Sequence, residues 1–245
     1  MPAKTGIYGA GDIYDTIYQG RGKDYRAEAA TVTRHIRSRN PEAAALLDVG
    51  CGTGGHLRHF ADDFDRVEGV DLAEGMLAVC RREYPDIPVA VGDMRALRTG
   101  RRYDAIVSLF SAVGNLTGTD ELDATLRSFA DHLEVGGVVV VEPWWFPENF
   151  TADHVGAAVV TVGDRTVARV SHTVRDSDTA SRMEVHYIVA EPAQGAEHFT
   201  DTHVMSLYGR EQYEAAFVRA GLTVEYVPGE FDGNGLFIGV KGGDL

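Results

Sequence analysis

The chain has 245 residues and 44% apolar content, enough to bury one substantial core and consistent with one main domain carrying an insertion. A formal net charge of −14 at a charged fraction of 24% argues against a protein that grips a polyphosphate strand through a basic surface, so no nucleic-acid partner is expected. The same acidity leaves room for a small diphosphate ligand, because a local arginine cluster can hold one whatever the global charge.

In chain order, Ala44 to Val49 reads as a short apolar strand ending in glycines, and residues from about His56 to Phe64 read as helical. Val67 to Val70, closed by Asp71, predicts a second strand, and Met76 to Arg82 the next helix. Val89 to Val91 precedes Gly92-Asp93-Met94 as a third strand. Tyr103 to Phe110 predicts a buried strand, Asp120 to Leu133 an amphipathic helix, and Val138 to Val141 a run of valines that closes the series. Strands alternating with helices predict a doubly wound parallel sheet.

After Pro143 the period changes. Thr166 to Val170 and Met183 to Tyr187 alternate as antiparallel strands do, with Gly163-Asp164 and Asp176 to Asp178 where hairpin turns belong. Gly209 to Ala220 returns to helical periodicity, Leu222 to Val227 reads as a strand, and Gly235 to Val240 closes a terminal hairpin. The expected fold class is therefore α/β, a Rossmann-like sheet with an inserted antiparallel β layer. Its core comprises residues 1–142 and 209–245, and the insertion residues 143–208.

Cys51 and Cys80 form neither a disulfide framework nor a metal pattern, so no metal is expected. Met1-Pro2-Ala3-Lys4 opens no basic-then-apolar leader, and no run approaches ~20 apolar residues; a soluble, cytoplasmic protein without a membrane partner is the expectation.

The most informative segment is Leu46-Leu47-Asp48-Val49-Gly50-Cys51-Gly52-Thr53-Gly54, a strand running into a turn with glycine at every second position. Backbone there can approach a ligand where no side chain fits. The spacing is GxGxG rather than the GxGxxG of dinucleotide-binding loops, which disfavours a nicotinamide cofactor. Asp48, just before the loop, is badly placed beside a pyrophosphate and well placed near the cationic end of S-adenosylmethionine. Asp71 ends the second strand, where a carboxylate can accept both hydroxyls of a ribose. After the third strand, Asp93 or the backbone can read an adenine edge while Met94 packs on the ring. Acids in register at successive strand ends predict bound S-adenosylmethionine.

These residues, together with Val138 to Glu148 and its Glu-Pro-Trp-Trp-Phe-Pro-Glu segment, resemble the bacterial nucleotide-sugar N,N-dimethyltransferases that finish dTDP-linked 3-amino deoxysugars such as desosamine and mycaminose. Gly20 to Tyr25, Ala168 to His172, Arg182 to His186 and Gly235-Leu236-Phe237 extend the resemblance over nearly the whole chain. It implies a class I methyltransferase that N-methylates the amino group of a dTDP-3-amino-3,6-dideoxy or 3,4,6-trideoxy hexose in antibiotic biosynthesis. It implies that Tyr14 and Tyr25 flank the cofactor, and that Gly50, Asp71, Asp93, Met94 and Leu109 complete its pocket. It also implies that Tyr8 lies near the sugar and that the insertion, with Trp144 and Trp145, holds the thymidine diphosphate. In agreement, Arg169, Arg175 and Arg182 lie in the insertion and can meet a diphosphate in bidentate fashion. Two positions depart from relatives: Asn115 stands where a His or Tyr can occur, and Asn234 where an arginine can precede Gly-Leu-Phe. The expected assembly is a homodimer.

Methyl transfer from a sulfonium is an in-line displacement that needs a neutral amine, alignment and exclusion of water, so positioning is expected to carry most of the catalysis. Tyr8 and Asn115 are the candidates to orient the amine, with Tyr14 near the sulfonium and Tyr25 counted with both the cofactor and the substrate. His172 and His186 are alternatives for proton removal. An O- or C-methyltransferase, or a non-catalytic S-adenosylmethionine-binding protein, remains an open alternative.

Overall fold

A strand covered by helices on both faces gains nothing from alternating polarity, and β1 (Ala45–Val49) is buried at every position. In the computed structural model, which describes residues 6–231 and 234–243, it pairs in parallel with β2 (Arg66–Asp71) and with β4 (Tyr103–Ser108). β3 (Val89–Val91) extends the sheet beyond β2, and β5 (Leu133–Val141) lies parallel to β4. The last two strands, β10 (Glu225–Val227) and β11 (Leu236–Val240), give a sheet order of β10-β11-β5-β4-β1-β2-β3 in which β11 is antiparallel to both neighbours. This is the doubly wound α/β sheet that the alternation predicts. The leader reading at Met1 to Lys4 falls outside the described residues. Among the described residues no helix is long and apolar enough to cross a membrane.

Helices α3 (Leu57–Phe60), α4 (Glu74–Glu83), α5 (Gly118–Asp131) and α6 (Arg210–Arg219) fill the crossovers and close the core. Two further helices precede the sheet. α1 spans Gly11–Gly20, and α2 spans Tyr25–Arg37 with Asp24 as its N-cap, the carboxylate accepting from Ala27 N at 2.9 Å.

Several boundaries move for identifiable reasons. The helix expected over His56 to Phe64 is α-helical only at Leu57–Phe60, with turns carrying the hydrogen bonding on to Phe64. β4 stops at Ser108 because Phe110 and Ser111 adopt left-handed backbone, φ 53° and 58°. Leu133 opens β5 rather than ending α5. Leu222 forms only an isolated bridge to Lys241, because its N–H closes α6 on Phe217 O at 3.1 Å instead of joining a ladder.

The second sheet holds β6 (His154–Val162), β7 (Arg165–Ser177), β8 (Ala180–Glu191) and β9 (Gly195–Ser206), all antiparallel and in sequence order. Odd-numbered residues of β7, β8 and β9 face inward. Val167, Val185, Tyr187 and Val189 form one apolar cluster with Ile7, Ala10, Ile13 and Ile17. The N-terminal segment is therefore a wedge, packed on the second sheet on one side and on α4 of the core on the other.

Candidate active site

The glycine loop is tight for a physical reason. Gly50 has φ 82°, and a Cβ there would sit 2.7 Å from the Ala112 Cβ, so only glycine leaves the space open. Asp71 at the end of β2 fixes the loop: its Oδ2 accepts from Gly52 N at 2.8 Å and its Oδ1 from Ala73 N at 2.8 Å. Burial pushes the Asp71 carboxyl up, while these N–H groups work against the shift. One strand over, Asp48 is 1% exposed, and its Oδ2 has no hydrogen-bond partner among the described residues. Burial, reinforced by the charge of Asp71, pushes its carboxyl up to about 8. The edge thus presents two desolvated acids that have no ion pair among the described residues, beside a glycine loop that leaves the backbone open. That donor set fits a cationic nucleoside and agrees with S-adenosylmethionine as the ligand.

Asp93 differs. It caps the 3-10 turn Met94–Ala96 and is clamped by Arg95, whose guanidinium also reaches Glu121, and the Arg95 contacts hold its carboxyl below the usual range. Met94 lies next to the loop, its Cε 3.8 Å from where a Gly50 side chain would begin. Leu109 is buried between β4 and the left-handed pair that follows it.

That pair is held in place. Phe110 N donates to Glu142 Oε2 at 2.5 Å, and Ser111 Oγ to Pro143 O at 2.9 Å. Non-glycine residues with this backbone persist only where their surroundings over-determine them, and such places cluster at functional sites. The Phe110 ring meets Tyr18 edge-on at 4.9 Å and Tyr14 at 6.4 Å, while Lys23 Nζ stands 3.9 Å over its centroid. Lys23 in turn pairs with Glu28 at 2.7 Å, and Glu28 with His56 Nε2 at 2.7 Å. Tyr25 stacks edge-on over His56 at 4.9 Å. Tyr14 and Tyr25 are thus brought together by α1 and α2 at the glycine loop and the end of β4, and burial pushes both phenols well up.

The second sheet separates the three arginines. Arg169, 9% exposed on the inner face, donates to Ser171 Oγ at 2.9 Å and points another amine at Met183 Sδ, with no ion pair within 4.0 Å among the described residues. Arg175 is exposed at the sheet's end, bonded to Pro147 O at 2.7 Å and lying over Phe150. Arg182 is on the outer face, paired with Asp176 and Glu184, and is not brought together with Arg169. His172 and His186 share that outer face, where His186 stacks on His198.

Trp144 and Trp145 are half-buried beyond β5, with Trp144 Nε1 donating to Ser181 Oγ at 3.3 Å, and Phe146 is the ring that enters the core. Asn115 is exposed, its amide donating to Ala112 O at 3.1 Å. Asn234 is buried, its main-chain carbonyl accepting from Tyr226 Oη. Tyr8 is 39% exposed at the wedge, and its phenol is pushed up by burial of its hydroxyl end and by Tyr18, Asp201, Tyr187 and Asp71. Sequence reasoning passed over Tyr18, Tyr187, Asp201 and His203 around it, and the Lys23–Glu28–His56 chain. The one signal was the shared parity of residues 187, 201 and 203 on β8 and β9, faint on β9 because both of its faces are polar.

Known proteins share this fold. The methyltransferase domain family matches residues 46–137. The dTDP-3-amino-3,4,6-trideoxy-alpha-D-glucopyranose N,N-dimethyltransferase of Streptomyces venezuelae is 55% identical over 94% of this chain and 96% of its own. The crystal structure of Streptomyces venezuelae DesVI superposes with a TM-score of 0.91 at 54% identity, covering 95% of this chain and 98% of that one. CalS10, an amino pentose methyltransferase from Micromonospora echinaspora solved with S-adenosylmethionine bound, gives 0.85 at 44%, covering 94% and 96%.

Proposed function

We propose, from the premise that the chain belongs to the S-adenosylmethionine-dependent N,N-dimethyltransferases of dTDP-linked amino sugars, that it methylates twice the 3-amino group of a dTDP-3,6-dideoxy or 3,4,6-trideoxy hexose. The observation that carries the substrate half of this reading is Arg169, a buried guanidinium with no carboxylate partner among the described residues, on a sheet that faces the wedge beside the cofactor edge. A diphosphate is the ligand such a group is built to receive.

S-adenosylmethionine supplies an electrophilic methyl group when bound. In the proposed assignment the chain's own residues do the rest. Asp71 holds the ribose and, through Gly52, the loop itself; Gly50 and Gly52 admit the ligand to the backbone. Asp48 faces the cationic end, Met94 and Asp93 the adenine, and Leu109, Tyr14 and Tyr25 close the pocket against water. Tyr8 orients the sugar amine. Trp144 and Trp145 wall the nucleotide, while Arg169 and, at the rim, Arg175 bind its phosphates. Arg182 and Asn234 are outer members of that set, and Asn115 at most orients, because an amide takes up no proton at working pH.

The reading extends to a cytoplasmic enzyme whose residues 143–208 form the substrate-binding and dimerisation layer on a core of 1–142 and 209–245. Support for a homodimer is the outer face of the second sheet, where Val155, Val159, Val170, Ile188 and Val204 are exposed together. Sedimentation at micromolar concentration gives twice the chain mass if this holds. The deciding experiment for function is mass spectrometry of dTDP-amino sugars incubated with enzyme and S-adenosylmethionine, counting methyl groups added. Methylation of phenolic or carboxylic acceptors instead, or binding without any transfer, would overturn it.

A further inference from the structure

His203 on the inner face of β9 is 9% exposed, and neither ring nitrogen has a hydrogen-bond partner within 3.5 Å among the described residues. Buried polar groups are normally paired, so spare capacity in an enclosed imidazole calls for a ligand. The Asp201 carboxylate lies just outside bonding range, Oδ2 to Nε2 3.6 Å. The same Oδ2 accepts from Ile7 N at 2.7 Å, which anchors the wedge over this corner of the sheet. The next residue on the wedge is Tyr8, whose ring meets the His203 ring edge-to-face at 5.4 Å. On its other side the wedge touches the cofactor edge: the Tyr8 carbonyl oxygen is 2.8 Å from where a Gly75 Cβ would stand, just past Asp71. A line from His203 through Tyr8 to Asp71 thus crosses the gap between the two sheets.

Methyl displacement needs no base, but an amino sugar that arrives as its ammonium form must lose a proton before its nitrogen can attack. We propose that His203 accepts that proton. One N–H bond of the ammonium breaks and its electron pair stays on nitrogen as the attacking lone pair. An N–H bond forms on the imidazole, and the imidazolium rests beside the Asp201 carboxylate until water takes the proton away. The inference rests on the amino-sugar reading above.

The surroundings suit the role. Burial, chiefly, holds His203 below the ordinary imidazole range, with Arg169 across the sheet acting in the same sense and Asp201 opposing both. The ring is therefore neutral and able to accept at neutral pH, and Asp201 is positioned to steady the charged form. His172 and His186 lie on the opposite face of the sheet, and Asn115 cannot accept a proton.

The test is the pH profile of kcat/KM in wild type, His203→Gln and Asp201→Asn, the last keeping a carbonyl oxygen for Ile7 N. His203→Gln should lose roughly 100-fold near neutral pH, the scale of a positioned general base. The loss should shrink toward nothing as pH rises past the substrate amine's own pKa, because the amine then arrives neutral. Asp201→Asn should move the acidic limb to lower pH, with S-adenosylhomocysteine binding unchanged in both. A loss constant across pH, or no loss at all, overturns the proposal. If His203→Gln does not fold, an unmoved acidic limb in Asp201→Asn overturns it. An inactive wild type would overturn the amino-sugar reading itself, and this step with it, before any variant is made.

Discussion

The carboxyl edge of the core sheet and the inner face of the second sheet are both desolvated, and they are unsatisfied in opposite senses. On the edge, Asp48 is a buried acid with an unbonded Oδ2 and Asp71 a half-buried one bonded to loop N–H groups, and neither has an ion pair among the described residues. On the inner face, Arg169 is a buried cation with no ion pair and His203 an imidazole with no hydrogen bond within 3.5 Å among the described residues. Stability alone would have paired or removed such groups, because a buried charge without a partner is costly. In the proposed assignment the two sheets complement the two substrates: the acids a sulfonium, and the cation and the ring a diphosphate and an amine. The wedge of residues 7–20 packs on both, and so does the turn of residues 112–116, whose Leu116 carbonyl accepts from Ser206 Oγ on β9.

The comparison breaks first at Asp71. Asp71→Ala removes up to two charge-assisted ribose hydrogen bonds and also frees Gly52 N, so the dissociation constant for S-adenosylmethionine should rise about 100-fold by calorimetry. An unchanged constant would remove the acid from the site. On the other sheet, Arg169→Met should raise KM for the nucleotide sugar by roughly 30-fold while leaving cofactor affinity within about twofold. Equal effects on both ligands would make Arg169 a folding residue. Tyr8→Phe, at the joint, should cost about tenfold in kcat with both ligands still bound, as expected for a lost orienting hydrogen bond.

A smaller effect sharpens the acidic half. The folded Asp48 carboxyl, at about 8, keeps a proton that the unfolded one releases near pH 4. The folded state then binds more protons between those values, so this group costs stability progressively as pH rises from about 4 to about 8. Asp48→Asn should raise the apo Tm by roughly 5 °C at pH 8 and leave it nearly unchanged at pH 4. It should also flatten the rise in cofactor affinity that ionisation of Asp48 produces toward pH 8. Smallest of all, Arg182→Ala should change KM less than twofold, because its exposed head is already shared between Asp176 and Glu184.

What the sequence discloses follows the same division. The core strands are legible because full burial makes them continuous apolar runs, and Asp48, Asp71 and Asp93 stand out as acids at their ends. The second sheet is legible as alternation, but alternation assigns no face, so Arg169 and Arg182 look equivalent until pairing puts them on opposite sides. Asp201 and His203 stay hidden for a related reason: β9 is polar on both faces, so its period carries little contrast. Helix α2 was readable from Asp24 as N-cap with Ala29, Val32 and Ile36 on one face, and was obscured by the charged residues between them. The left-handed turn at Phe110 and Ser111 is illegible because no glycine marks it. Glu142, thirty-two residues along, holds it open.

The antiparallel placement of β11 between β5 and β10 has a consequence for biosynthesis. Val138 to Val141 are fully buried, and residues 237–240 pair along the side of them that β4 does not cover. On a nascent chain, β5 precedes β11 by roughly a hundred residues of synthesis and β1 to β4 by more. Until residues 236–240 leave the ribosome, the valine run remains an open, flat, uncharged edge. The chain is thus exposed to misassociation for the time needed to translate its whole second sheet, whose local hairpins can form meanwhile.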